Sequence, residues 1–323
     1  MAGELAVVFG GSGFVGRNVV RELAKRGWRV RVAVRRPHHA QFLRTMGVVG
    51  QIQLVQTNLR HGPSIAEALK GADAVVNCVG ILHQEGAQTF SAVQAGGAAR
   101  RAREAALAGA PRFVHVSAIG ADERSDSLYA RSKGEAERAV REALPFAAII
   151  RPSIIFGPED QFFNRFATMF SLVPPFAPVP ILIGGGETKF QPVYVDDVAD
   201  AICEALKPGA AGKTYELGGP LVYTFKQLLE LMMRETGLKR MLLPVPHAIA
   251  PAFGFAGECL GLFPFLDPPI TRDQVKLLKQ DNIVSEGALT LADLGVSPKT
   301  VESILPGYMT RFRKYGQFTE KPA

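Results

Sequence analysis

Six short apolar runs punctuate the first 150 residues, each followed by a segment with helical spacing. The runs are LAVVFG (Leu5–Gly10), WRVRVAV (Trp28–Val34), IQLVQT (Ile52–Thr57), AVVNCVG (Ala74–Gly80), FVHVSA (Phe113–Ala118) and FAAIIR (Phe146–Arg151). Between them, VGRNVVRELAKRG and AGGAARRAREAALAG read as amphipathic or Ala-rich helices. Strand, helix and strand at this spacing predict right-handed βαβ units. The expected fold is α/β, a Rossmann-type doubly wound parallel sheet with helices on both faces. The runs are apolar nearly throughout, as befits parallel strands covered on both sides.

After Arg151 the pattern changes. RPSIIFGPED is a Pro/Gly-rich exit from the sixth strand. FQPVYVDDVADAICEAL reads as a strand entering a helix with Asp197 as its cap, and TYELGG as a further strand. TFKQLLELMMRETG is a helix with Thr224 at its N-cap and Gly237 just past its end. The expected division is an NADP(H)-binding Rossmann domain over 1–157 and a smaller, discontinuous C-terminal substrate or docking region over 158–323, an α/β annex with some segments returning to the main sheet. Two stretches are almost free of charge. Ala167–Gly186 has none but holds Pro174, Pro175, Pro178 and Pro180; Ala248–Leu266 carries only Glu258 and is broken by Pro251 and Pro264. Helices do not run through such prolines, so neither stretch is expected to span a bilayer. Either can lie against a membrane surface or line a cleft.

Composition narrows the classes. With 47% hydrophobic and 21% charged residues, 323 residues can bury a sizeable core. The three cysteines, Cys78, Cys203 and Cys259, are far apart, which argues for a reduced compartment and against disulfides or zinc. The histidines show no metal-ligand spacing, and no metal is expected. The opening MAGELAVVFGG has no basic stretch before its apolar run, so no secretory signal is expected. A formal charge of +7 favours anionic partners. No basic run interleaved with aromatics is present, so nucleic acid is not expected.

VVFGGSGFVGRNVV sets Gly10, Gly13 and Gly16 as G-x-x-G-x-x-G between the first strand and first helix. Such glycines permit the tight turn, the approach of a pyrophosphate to backbone, and close helix–strand packing. The following helix N-terminus offers N–H groups to phosphate. An NAD site usually carries an acid at the end of the second strand, bonded to a ribose hydroxyl. Here Arg35 and Arg36 stand there, about twenty residues after Gly16. Two guanidiniums match a 2′-phosphate in charge and forked geometry, so NADP(H) is expected over NAD(H). In LYARSKGEAERAV, Tyr129 and Lys133 stand four apart and share one helix face, so a phenol and an ammonium can converge.

With the glycine pattern, RR, NCVG, HVSA, YARSK and RPSIIFG in this order, the chain resembles the extended and atypical short-chain dehydrogenase/reductases. Within them it is similar to the nucleotide-binding accessory subunit of respiratory complex I and its bacterial relatives. HVSAIGAD, YARSKGEAE, RPSIIFGPEDQFFNRFA, FQPVYVDDVADAI, LLPVPHAIA, PPITRDQVKLLKQDNIV and YMTRFRKYGQF carry that narrower likeness, which runs over nearly the whole chain. The resemblance implies that Gly10, Gly13, Phe14, Val15 and Gly16 form the phosphate loop, and that Arg35 and Arg36 hold the 2′-phosphate. It further implies that Asn58 and Leu59 flank the adenine, and that Val79 and Gly80 line the ribose and phosphate path. Lys133 would bond the nicotinamide ribose, and Pro152 and Ser153 would meet the nicotinamide. In active relatives the tyrosine is the acid/base and the lysine cation lowers its pKa.

That chemistry also needs a hydroxyl after the fifth strand, where this chain has Ala118; Ser117 is one position earlier, a shift that turns a strand side chain to the other face. Catalytic candidates are thus Tyr129, Lys133 and Ser117. The resemblance implies a weakly catalytic or non-catalytic accessory subunit of complex I, peripheral on the cytoplasmic side of the inner membrane. Two alternatives use the same first domain. One is a free-standing, soluble cytoplasmic NADP-dependent reductase or epimerase-like enzyme on a hydrophobic carbonyl such as a quinone or isoprenoid precursor; the other is a redox-sensing regulator. His83 reads as a loop histidine, His115 as a core histidine, and Cys78 as a small hydrophobe in a buried strand.

Overall fold

The computed structural model describes residues 3–82, 84–174, 179–250, 252 and 271–318. The chain forms two compact units. The first comprises Met1–Pro152, Val195–Leu217 and Val284–Ser297; the second comprises Ser153–Tyr194, Gly218–Ile283 and Pro298–Ala323.

In the first unit the six apolar runs become β1 (Leu5–Phe9), β2 (Arg29–Val34), β3 (Ile52–Gln56), β4 (Ala74–Asn77), β5 (Phe113–Val116) and β6 (Ala148–Pro152). With a seventh strand, Thr214–Leu217, they make one parallel sheet. Its order is Thr214–Leu217, β6, β5, β4, β1, β2, β3. The sheet is the Rossmann-type arrangement that the alternation predicts. Its winding reverses between β1 and β4, and ligands bind at the carboxyl ends of strands at such a switch point.

Helices α1 (Phe14–Lys25), α2 (Gly62–Leu69), α3 (Gly96–Leu107) and α4 (Leu128–Ala143) connect the strands. Alternate strand residues Val7, Phe9, Val75 and Phe113 pack with α2, α3 and α4. Ala98, Ala102 and Ala105 let α3 lie close to the sheet, and Ala136 and Val140 do the same for α4. On the other side α1 meets the helix Val195–Glu204. Arg26 bonds Glu204 at 2.7 Å and Asp200 at 3.2 Å, and Arg21 pairs with Asp196. The sequence suggests Asp197 as the cap of this helix, but the helix starts two residues earlier, at Val195. Asp196 and Asp197 therefore fall in its first turn, where a carboxylate still favours the helix dipole.

The second unit is built on phenylalanine. Phe156, Phe163, Phe170, Phe190 and Phe225 share a core with the helices Phe163–Leu172, Phe225–Thr236 and Val301–Met309. Thr224 and Gln227 form a reciprocal capping box on Phe225–Thr236, and Gly237 ends that helix at φ 73°. Buried Asp160 accepts from the N–H groups of Gly157, Phe162 and Asn164 and from the Tyr308 hydroxyl at 2.7 Å, fixing the exit from the Pro/Gly-rich turn. Among the described residues no helix is long and apolar enough to cross a membrane. Most of Ala248–Leu266 lies outside the described residues.

Candidate functional site

The glycine loop is shaped by close approach. Gly10 adopts φ 77°, and a Cβ there would lie 3.0 Å from the Cys78 backbone at the end of β4. A Cβ on Gly16 would lie 2.2 Å from the Gly10 carbonyl oxygen, so α1 can start this close to β1 only with glycine. Gly13 is the N-cap of α1, makes no side-chain cap bond, and no acidic residue lies in the first turn. Its N–H donates to Gly10 O at 3.0 Å, closing the turn, and Phe14 and Val15 open the helix half-buried. Uncapped N–H groups and a cradle that a Cβ would fill are what a pyrophosphate requires, and the residues present fit one. Sequence reasoning missed Arg17. Its guanidinium bonds the Ser12 carbonyl at 2.9 Å and the Gly13 carbonyl at 3.3 Å, and lies 4.9 Å from the Phe42 ring centroid. It orients the peptide planes of the loop from outside.

Arg35 and Arg36 leave β2 exposed, with no ion pair among the described residues. Strand β2 lies beside β1, with Ala33 opposite Phe9, so the pair emerges at the sheet edge where the loop begins. Past β3, Asn58 Oδ1 accepts the Arg60 N–H at 3.0 Å in a tight turn, and half-buried Leu59 packs on the sheet core. Past β4, Val79 packs on the same core and donates its N–H to Asn77 Oδ1 at 3.3 Å. Cys78 lies just beyond the strand rather than within it, half-buried; burial pushes its thiol up to about 12 and keeps it neutral.

A continuous line then leads to the tyrosine and lysine. A Cβ on Gly10 would touch Cys78 and Val79, and one on Gly80 would lie 3.4 Å from Lys133 Nζ. Ser127 caps α4 by accepting the Ala130 N–H, which sets Tyr129 and Lys133 in the first two turns. Lys133 is 5% exposed, donates to the Val116 carbonyl at 3.2 Å and lies 5.8 Å from the Tyr129 ring centroid. Burial pushes its ammonium down to about 8, against the pull of Glu137 one turn along. Burial likewise pushes the Tyr129 phenol up to about 12, so it holds its proton at neutral pH. Tyr129 stacks edge-on against Phe90 at 5.8 Å.

The remaining candidates separate. Ser117 is 3% exposed, and its Oγ has no hydrogen-bond partner among the described residues. Its neighbour Ala118 is half-buried and has no hydroxyl to offer. Pro152 ends β6, and its carbonyl accepts the Ile119 N–H at 3.0 Å. The Ser153 hydroxyl belongs to the second unit: it lies 2.7 Å from Asn282 Oδ1 and 2.8 Å from the Asn282 carbonyl. His115 is 1% exposed and burial pulls its pKa well below the ordinary value, so it is a neutral core histidine. His83 lies outside the described residues. No group of three or more His, Cys, Asp or Glu able to hold a metal occurs among the described residues.

Comparison with known proteins adds four findings. A profile of the NAD dependent epimerase/dehydratase family matches residues 6–218. The chain is 38% identical over 325 residues to "NADH dehydrogenase [ubiquinone] 1 alpha subcomplex subunit 9, mitochondrial" of Arabidopsis thaliana, covering 98% of this chain and 80% of that protein. It is also 30% identical over 304 residues to a 2-alkyl-3-oxoalkanoate reductase of Stenotrophomonas maltophilia, covering 82% of this chain and 86% of that one. Among solved structures, a quinone oxidoreductase of Escherichia coli in complex with NADPH superposes with a TM-score of 0.72 at 19% identity, over 95% of this chain and 99% of that one. At that identity the likeness speaks for the fold alone.

Proposed function

The chain belongs to the NAD dependent epimerase/dehydratase family, which binds a nicotinamide dinucleotide, and from that premise we propose that it is an NADP(H)-binding accessory subunit of respiratory complex I. In this reading it turns over weakly or not at all, and it sits peripherally on the cytoplasmic side of the inner membrane. The observation that carries the reading is the similarity, over 98% of this chain, to a protein named as a complex I alpha subcomplex subunit. The charge of +7 supports seating on an anionic membrane surface.

A bound nicotinamide dinucleotide supplies hydride-transfer chemistry; the residues described here hold it. Gly10, Gly13, Phe14, Val15 and Gly16 take the pyrophosphate, Arg35 and Arg36 the 2′-phosphate, and Asn58 and Leu59 the adenine. Val79 and Gly80 line the path to Lys133, which bonds the nicotinamide ribose, and Pro152 with Ser153 meets the nicotinamide. Tyr129 keeps its proton and donates a hydrogen bond. Ala118 in the hydroxyl position and a phenol raised to about 12 both favour holding over turnover.

A second reading has one specific support, the likeness to the 2-alkyl-3-oxoalkanoate reductase together with the presence of Tyr129 and Lys133. There the protein is a free-standing NADP-dependent reductase of a hydrophobic carbonyl such as a quinone or isoprenoid precursor. Nucleotide retained by the protein purified without additions, assayed for oxidation while bound and then released with alkali, which preserves the reduced dinucleotide, tests the pair. Stoichiometric NADPH that medium-chain ketones and quinones fail to oxidise is expected for the accessory subunit. Multiple turnovers with any of these carbonyls would establish the reductase instead.

A further inference from the structure

We infer that a buried acceptor site lies between α3 and the carboxyl ends of β4 and β5, closed by Arg101, His115 and Ser117 and filled by bound water or a small inorganic anion. It is independent of the function proposed above. Asn77, His115 and Ser117 continue, on the same sheet face, the rows begun by Val75 and Phe113, with Asn77 opposite His115 in the ladder. Arg101, fully buried, reaches this polar layer from α3, where its charge acts on His115 and Lys133.

Every unmet group in the layer can donate. The Asn77 Oδ1 is held by the Val79 N–H, so the amide turns Nδ2 to His115 Nδ1 at 2.9 Å. Nδ1 therefore accepts, and the proton of this neutral ring sits on Nε2. Nε2 is buried with no partner among the described residues, and so are Arg101 Nε, Arg101 Nη1 and Ser117 Oγ. Arg101 makes one bond, Nη2 to the Val93 carbonyl at 3.3 Å. A guanidinium holds its proton even when buried, so its charge stays. The buried carboxylate of α4, Glu137, is already taken by both prongs of Arg151 at 2.8 and 2.7 Å. Ser117 Oγ could also accept, but it has no partner among the described residues and one hydroxyl cannot serve His115 Nε2, Arg101 Nε and Arg101 Nη1 together. The group missing from this layer is an acceptor, and water and a small anion share that chemistry.

The local backbone favours such a site. A π-helical turn, Ser91–Ala95, precedes α3, and a side chain on Gly97 would lie 2.9 Å from Arg101 Nη1. Gln94 closes the layer by donating to the Ile81 carbonyl at 2.6 Å and accepting from the Ser132 hydroxyl at 2.8 Å.

Two measurements test it. Crystals of the wild-type protein grown in sodium bromide, recorded at the bromine edge to high resolution, should show either an anomalous peak or ordered water within hydrogen-bond distance of Arg101, His115 and Ser117. Bromide identifies an anion site, and water without bromide a hydrated one. A dry layer, with Arg101 paired elsewhere, overturns the inference. Independently, Arg101→Met should lower Tm by about 3–8 °C, because the occupant makes the buried cation stabilising. A rise in Tm would mean that Arg101 is simply an unpaired charge, and would equally overturn it.

Discussion

A methyl group at Gly16 would have to displace the Gly10 carbonyl, which is backbone and cannot swing aside. Gly16→Ala is therefore expected to cost about 1–3 kcal/mol of stability or more and to abolish dinucleotide binding, as followed by thermal melting and by quenching of Trp28, the chain's one tryptophan. Arg35 and Arg36 act on affinity alone, because both are exposed. Each charge-assisted bond to a 2′-phosphate contributes about 1.5–3 kcal/mol. Losing both, Arg35→Ser/Arg36→Ser should thus weaken NADPH by about 10²- to 10⁴-fold and leave NADH nearly unchanged in isothermal titration. Equal losses for both nucleotides would assign the two arginines another role. Lys133 makes a pH-dependent contribution. Its pKa falls from 10.5 in the unfolded chain to about 8 when folded. Below about 8 both states hold the proton and the buried charge costs stability in full; above it the unfolded chain binds more protons, so stability climbs with pH. Nucleotide-free protein should gain up to roughly 3 kcal/mol as pH rises through this window, and Lys133→Met should lose that slope. Cys78 and Cys203, whose unfolded thiols ionise around 9, are common to both proteins, so the difference between the two curves from pH 7 to 9 isolates Lys133; parallel curves would contradict the burial argument. These residues were legible because each stands at a position fixed by a pattern: the glycines at a strand–helix junction, the arginines at a strand end, Tyr129 and Lys133 at helical spacing. Arg101 could have been read, since it sits among Ala98, Ala102 and Ala105 on the buried face of α3. The missing partner of Ser117 could not, because it depends on what surrounds the end of β5 in space.

The elements followed the pattern closely where one force dominates. Buried parallel strands must be apolar on both faces, so β1 to β6 were visible as runs. The helix Phe225–Thr236 was visible from Thr224 and Gly237, and its capping box formed. Thr224→Ala is expected to cost about 1 kcal/mol, seen as a Tm fall of about 2–4 °C. Thr224→Asp should restore most of it, whereas no change would show that packing alone holds that helix end. Asp197 was misplaced because a carboxylate is equally at home at a cap or in the first turn, and only the pairing of Val193 with Ile155 settles where the chain stops being strand. The π-turn Ser91–Ala95 has no signature in sequence; the bonds around it, Gln94 to Ile81 and Ser132 and Arg101 to the Val93 carbonyl, form only in the folded chain.

At the scale of the molecule, the division of the chain matters for partners. The first unit recruits Val195–Leu217 and Val284–Ser297 from late in the sequence; TYELGG reads as a strand, but no local pattern says which strand it joins. Thr214–Leu217 pairs with β6, and buried Glu216 accepts from Arg151 at 3.4 Å and from the Ser285 N–H at 2.8 Å, tying both late segments to the sheet. Docking on a larger assembly is proposed from resemblance alone, because docking surfaces have no fixed periodicity. The most direct test is native separation of gently solubilised membranes, with fractions probed for this chain and for NADH:quinone reductase activity. Co-migration of the two is the expected result. The chain running alone, in fractions without that activity, would contradict its assignment as an accessory subunit and return Tyr129 and Lys133 to the reductase reading.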